Sequence, residues 1–174
     1  MCYIYMRNIY YVYMGYIIVP KRYLPQSLSA KDRRTQRAAL LKSRQSYKKH
    51  KYVDRPTNLA SFPHRKSPHV RNAMKLYGVS SMYPTRKLAR ATGCSIHALN
   101  QIVNKGRGAY YSSGSRPNQT ADSWGYARLA SAITGQNASV VDRHILEAGC
   151  KRGSRALRLA RKRKTLRAAI HTRI

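Results

Sequence analysis

Five carboxylates, Asp32, Asp54, Asp122, Asp142 and Glu147, are all that this chain sets against 35 lysines and arginines. The net charge is +30 over 174 residues, and that imbalance restricts the fold more than any motif does. Soluble surfaces ordinarily intersperse both signs. Here most cations find no carboxylate anywhere in the chain, so a compact body repels itself until counterions or an acidic partner neutralise it. Duplex DNA presents one negative charge about every 1.7 Å of axis and releases condensed cations when it is neutralised. DNA is therefore the expected partner, with RNA as the next polyanion and an acidic membrane surface as a less favoured one.

The apolar side of the composition is thin. With one phenylalanine, one tryptophan and fourteen tyrosines, a core must come from Leu, Ile, Val, Ala and Tyr. Residues 27–149 hold enough of these for one small domain. Cys2, Cys94 and Cys150 form an odd, sparse set, which predicts no disulfide framework and an intracellular, reducing compartment.

Four segments are expected. Residues 1–22 form an aromatic arm, in which MCYIYMRNIYYVYMGYIIV carries six tyrosines and the single charge Arg7. It is just long enough to cross a bilayer, but tyrosine favours the interface, and Arg7 and Asn8 lie inside the stretch. It lacks the charge-first pattern and small-residue cleavage site of a signal peptide. A packed strand or an unstructured extension fits better, and Met14 is a second plausible translation start. Residues 23–66 form a basic helix capped by Ser29, with Ala38, Leu40 and Leu41 as a narrow apolar stripe, then a linker broken by Pro56 and Pro63. Residues 67–150 form the helical core, and residues 151–174 a basic tail with ten cations and no acid, expected to order only on a polyanion. The fold class is mainly α. There is no heptad pattern and no useful internal repeat.

Within the core, Ser67-Pro68 starts a helix that Gly78 ends. Residues 85–106 have the spacing of a helix-turn-helix. Thr85 caps a helix with Leu88 and Ala89, Gly93 turns the chain, and Ser95 caps a second helix with Ile96, Leu99, Ile102 and Val103, ended by Gly106. Thr92 stands where an apolar residue is usual. In such motifs the second helix enters the major groove, so His97, Ala98, Asn100, Gln101 and Lys105 are the exposed candidates, and Asn or Gln can pair bidentately with adenine. An ordinary helical hairpin is the competing reading. The following GRGAYYSSGSRPNQT is expected to be a glycine- and serine-rich loop. Arg107 and Arg116 would contact phosphate there, and Tyr110 and Tyr111 would either stack on unpaired bases or pack on Trp124 and Tyr126. It is not a P-loop, because no Gly-Lys-Ser/Thr closes it. Thr120 or Asp122 caps the next helix, which Gly135 closes, and a last core helix runs from Ser139 to Glu147.

The run GRGAYYSSGSRPNQTADSWGYARLASAITG, followed by VDRHILEAGC, resembles the core block of an uncharacterised protein family encoded by large DNA viruses of algae and their relatives. YLPQSLSAKDRRTQ and YVDRPTNLASF resemble its upstream segments, so the likeness covers Tyr23 to Cys150. It implies a viral setting, in virion or infected cell, where basic proteins accompany packaged DNA or sit inside capsids. It brings no activity and no catalytic residue.

Other chemistry finds little support. Cys94 with His97 and His144 with Cys150 could supply four zinc ligands, but the placements and spacings are poor, and no metal or other cofactor is expected. Five scattered acids leave no evident pair for acid–base catalysis, and no nucleophile stands beside His144. Asp142 is expected to cap a helix or pair with an arginine. The expected function is charge-driven DNA binding or condensation, with an internal capsid component as the alternative. Two basic clusters would neutralise phosphates: Arg33, Arg34, Lys42, Arg44, Lys48, Lys49 and Lys51 in the first, and Arg161, Lys162, Arg163 and Lys164 in the second. The hairpin residues His97, Asn100, Gln101 and Lys105 would orient the body.

Overall fold

The computed structural model describes residues 18–63, 67–163 and 171–173. Among these, eight α-helices carry the fold: α1 Ala30–Tyr47, α2 Pro68–Tyr77, α3 Arg86–Thr92, α4 Ile96–Ser113, α5 Ala121–Ile133, α6 Asn137–Val141, α7 Arg143–Gly149 and α8 Arg155–Lys162. Two short strands, β1 Ile18–Pro20 and β2 His171–Arg173, pair antiparallel with Val19 opposite Thr172. The mainly α expectation holds. Residues 1–17 of the aromatic arm lie outside the described residues, and among those described no helix is long and apolar enough to cross a membrane.

Local chemistry explains most of the boundaries. The side chains of Ser29, Thr85, Ser95, Thr120 and Ser154 each accept an amide hydrogen from the first turn of the helix that follows; such a cap stabilises a helix by about 1 kcal/mol. Thr120 and Ser123 cap each other reciprocally. Gly93 ends α3 at φ 72°, a left-handed conformation that favours glycine. Thr92 keeps its apolar environment by returning its hydroxyl to the Leu88 carbonyl at 2.8 Å, which satisfies the polar atom inside the core.

The main core lies where α4 crosses α5. Leu88, Leu99, Ile102, Val103, Leu129, Ile133 and Leu146 are buried there, each contributing on the order of 1.5–3 kcal/mol by leaving water. Gly106 was expected to end α4. Instead it sits inside the helix, where a Cβ would come within 2.6 Å of the Gly125 backbone. Its missing side chain lets the two helices touch, so α4 runs on through the predicted glycine-rich loop to Ser113. Only residues 114–120 remain as the connection to α5. The last core helix is likewise corrected to two, α6 and α7, divided at Asp142. The Asp142 carboxylate is fully buried and takes two hydrogen bonds from Arg128 at 2.7 and 2.8 Å.

Two further expectations are overturned. A helix, α8, stands in the predicted structureless tail, because Ala156, Leu157 and Ala160 fall on one face and enter the core while Arg158, Arg161 and Lys162 face water. Cys94 and Cys150 are joined by a disulfide. The turn after α3 runs antiparallel to the end of α7, with the Ser95 amide on the Gly149 carbonyl at 2.7 Å and the Lys151 amide on the Gly93 carbonyl at 2.8 Å. That pairing joins segments 56 residues apart, which cysteine spacing alone cannot indicate.

A second, polar core joins α1 to α4 through residues 48–63. Its apolar members are few, Val19, Tyr23 and Leu40. The buried face of α1 is Gln36, Leu40, Ser43 and Arg44, while Ala38 is exposed. The Arg55 guanidinium lies 3.6 Å from the centroid of the Tyr110 ring and donates to Ser43 Oγ, the Tyr110 carbonyl and Ser115 Oγ at 2.9–3.0 Å. Burial pulls its pKa below the usual arginine value. Asn118 holds the same strap by accepting from the Leu59 amide and donating to the Leu59 and Phe62 carbonyls. The predicted surface linker is therefore anchored at Arg55 and Leu59, both 5 % exposed.

Candidate nucleic-acid interface

An open cleft of about 2540 Å³ runs along α4 and α5. Gln101, Asn104 and Lys105 of α4 line it, with Trp124 and Arg128 of α5. Arg22 enters from the 3₁₀ turn Lys21–Tyr23, Arg71 from α2, and Arg116 from the connection before α5. Among the described residues, six lysine or arginine side chains line this cleft, counting Arg44, and no aspartate or glutamate does. Lys105 and Arg128 share the Asp142 carboxylate, at 3.1 and 2.7 Å. Arg22, Arg71 and Arg116 are exposed and have no carboxylate within 4 Å among the described residues. His69 belongs to the same cluster. Desolvation, then the charges of Arg116 and Arg22, hold its pKa below the usual histidine range.

The hairpin residues divide between two environments. His97, Asn100, Gln101 and Lys105 are all exposed, whereas Ala98, also expected outside, is buried against Gly149. Gln101 and Lys105 line the cleft and His97 and Asn100 do not. The α3 helix adds exposed Arg86, Lys87 and Arg90, which the helix-turn-helix spacing does not single out. The predicted loop cations also separate. Arg107 is held by Asp122 at 2.7 Å and Asn104 at 3.0 Å, while Arg116 faces the cleft. Neither tyrosine packs as expected on Trp124 or Tyr126. Tyr110 is fully buried under Arg55. Tyr111 sits edge-on to Tyr110 and Tyr52 and donates its hydroxyl to Asp54 at 2.9 Å. Burial, then that hydrogen bond, push its pKa to about 12.

In the first basic cluster, Arg34, Lys42, Lys48, Lys49 and Lys51 are exposed. Arg33 is committed to the Pro25 and Gln26 carbonyls. Arg44 is 7 % exposed and belongs to the polar core, so its position on α1 turns it inward, away from a duplex. In the second cluster, Arg161 and Lys162 are exposed, Arg161 lying 3.7 Å from Glu147. Arg163 is half-buried, donating to Asn137 and accepting from Arg143. Lys164 lies outside the described residues. Among those described, no group of three or more His, Cys, Asp or Glu gathers for a metal, and Cys94 and Cys150 are bonded to each other.

A family model described as a family of unknown function, DUF5824, matches residues 20–144, from β1 to the start of α7. The chain belongs to that family. No curated protein and no solved structure matches it. The matched span of this DUF5824 chain contains every cleft residue named above, together with α1 and the hairpin. The α8 face and the cystine's Cys150 fall beyond it. Sequence reading missed Arg22, Arg71, His69 and Asn104, because only the fold gathers them. Trp124 and Phe62 carried a signal, as the single tryptophan and single phenylalanine of the chain.

Proposed function

We propose that this protein binds nucleic acid in a viral setting, chiefly through phosphate neutralisation. One observation supports the reading: a chain of net charge +30 folds with a cleft that, among the described residues, is lined by six lysine or arginine side chains and no aspartate or glutamate. A structural surface of that size would ordinarily carry both signs. The viral setting follows from the resemblance of the core block to proteins of large DNA viruses.

On this reading, the exposed cations of α1 and of residues 48–51 lie along one phosphate backbone, and those of α3 and α8 supply further contacts. Most of the charge stands outside any element that reaches base edges, so sequence preference is weak. The α3–α4 hairpin offers Asn100, with Gln101 at the lip of the cleft, and orients the body.

The test is binding to a labelled short duplex across a salt series. Tight binding at low salt, with log K falling steeply against log salt, is the expected result. Changing Lys42, Lys48, Lys49 and Lys51 together to Gln lowers the slope by as much as about 3.6, at roughly 0.9 per phosphate contact on B-DNA. Changing Asn100 and Gln101 to Ala leaves affinity for unrelated duplexes equal to one another if the hairpin only orients. Absence of binding to any nucleic acid at low salt overturns the proposal and favours an internal capsid component instead.

A further inference from the structure

The cleft differs from the outer basic faces in one respect that charge alone does not require. The chain has one tryptophan and one phenylalanine, and both Trp124 and Phe62 line it, half-buried. Trp124 meets Tyr23 edge-on with ring centroids 5.7 Å apart, and that contact does not use both of its faces. The same cleft is lined by Arg22, Arg71 and Arg116, free of carboxylate partners among the described residues.

A duplex hides the flat faces of its bases within the stack and offers a concave protein site only phosphates and groove edges. An unpaired strand offers phosphates and open base faces together. Aromatic platforms set in a cationic groove match the second ligand. Resting on the nucleic-acid reading above, we infer that this cleft is a site for an unpaired stretch of nucleic acid, with phosphates on Arg22, Arg71 and Arg116 and bases against Trp124 and Phe62. The side-chain amides of Gln101 and Asn104 face the same space and supply donors and acceptors for base edges. His69 supports the assignment. Desolvation first, and then the neighbouring Arg116 and Arg22 charges, oppose its protonation, and a phosphate bound beside them offsets the second of these. Tyr110, fully buried, has no face open to a base, and Tyr111 is engaged by Tyr110, Tyr52 and Asp54.

Trp124, as the only tryptophan, reports on the site alone when excited where tyrosine does not absorb. Full-length protein is titrated with an oligothymidylate, its oligouridylate counterpart, a blunt duplex of equal length, and heparin as a polyanion without bases. The expected result is saturable quenching by the single strands and little by duplex or heparin, although both of these bind elsewhere. Phe62→Ala lowers single-strand affinity at least about fivefold, since a stacked base is worth roughly 1–3 kcal/mol. Arg71→Ala and Arg116→Ala, both exposed, do the same without loss of helical signal. These variants leave duplex affinity nearly unchanged. Equal quenching by heparin overturns the stacking claim. Unquenched Trp124 with salt-sensitive binding intact overturns the cleft site while leaving the general function standing, and absence of all binding overturns both.

Discussion

The two cores of this molecule are built on opposite principles. At the α4–α5 crossing the chain buries mostly Leu, Ile, Val and Ala around a contact between Gly106 and Gly125, with its few buried polar groups, such as Thr92 and Asp142, individually bonded. Between α1, the strap and α4 it buries Gln36, Ser43, Arg44, Arg55, Ser115 and Asn118 among a few apolar and aromatic side chains, chiefly Val19, Tyr23, Leu40, Leu59 and Tyr110. The first gains stability from removing surface from water and is tolerant of direction. The second gains little from burial and depends on each donor meeting its acceptor, because an unmatched buried polar group costs about 1–3 kcal/mol. A chain this poor in large apolar residues extends its interior by such matching, and the result positions the cationic strap beside the cleft.

The largest expected effect is on the staple of the apolar core. Reducing the Cys94–Cys150 disulfide, or making Cys150→Ser, releases a loop of 56 residues. The chain-entropy treatment gives about 4 kcal/mol for a loop of that length. Chemical denaturation with and without reductant measures it, and equal midpoints would show that the backbone pairing of Ser95 with Gly149 holds the segments by itself.

Next comes Gly106→Ala. The added methyl meets backbone, not a movable side-chain end, so the helices must separate, at about 3 kcal/mol. Gly125→Ala behaves similarly, since its Cβ would stand 2.9 Å from the Val103 carbonyl oxygen. The same substitution at the partly buried Gly108, whose nearest neighbour is the Tyr47 hydroxyl at 3.8 Å, leaves stability within about 0.5 kcal/mol or raises it, because alanine favours helix. Two glycines of α4 and one of α5 thus sort into tolerant and intolerant positions. A uniform response would mean that α4 and α5 do not cross there.

That sorting also marks what could be read in advance. Caps, stops and the apolar spacing of Leu88, Leu99 and Ile102 are local, and they located α1, α2, α3 and the start of α4. Gly106 misled because a helix terminator and a helix-crossing glycine look alike until the partner helix is placed. Arg55 carried no local signal at all. Its partners Ser43, Tyr110 and Ser115 are distant in sequence, and a polar core has no periodicity by which to recognise it. The same reason hid Arg22, Arg71 and His69 from the candidate site, while the solvent-facing cations of α1 were evident from helical spacing.

For the polar core the informative change is Arg55→Lys. It keeps the charge but loses the planar fork and its stacking on Tyr110, so that Ser43, Ser115 and the Tyr110 carbonyl cannot all be served. The expected cost is about 2 kcal/mol. Hydrogen exchange should show it as faster opening of residues 48–63 with α5 unaffected. Equal acceleration in both cores would show that they unfold as one unit.

The smallest effect tests the outer tie of the strap. Asp32, in the first turn of α1, accepts from the Ser61 hydroxyl at 2.6 Å and from the Ser61 amide at 2.8 Å. These two bonds, the side-chain bond first, hold its pKa below the ordinary value of 3.8. Because the folded value is depressed, the contribution is present above the unfolded pKa and is lost as pH falls through the folded one. Acid should therefore loosen this end of the strap only below about pH 3.8. In Ser61→Ala the amide remains and the hydroxyl is gone, so the Asp32 carboxyl should titrate closer to its ordinary value by NMR. The stability difference between the two proteins should shrink over the same acid range. If Asp32 titrates identically in both, the hydroxyl does not carry the tie, and the Ser61 amide bond is what holds this end of the strap. The polar core would then reach the α1 terminus through that backbone amide, independently of the Ser61 side chain.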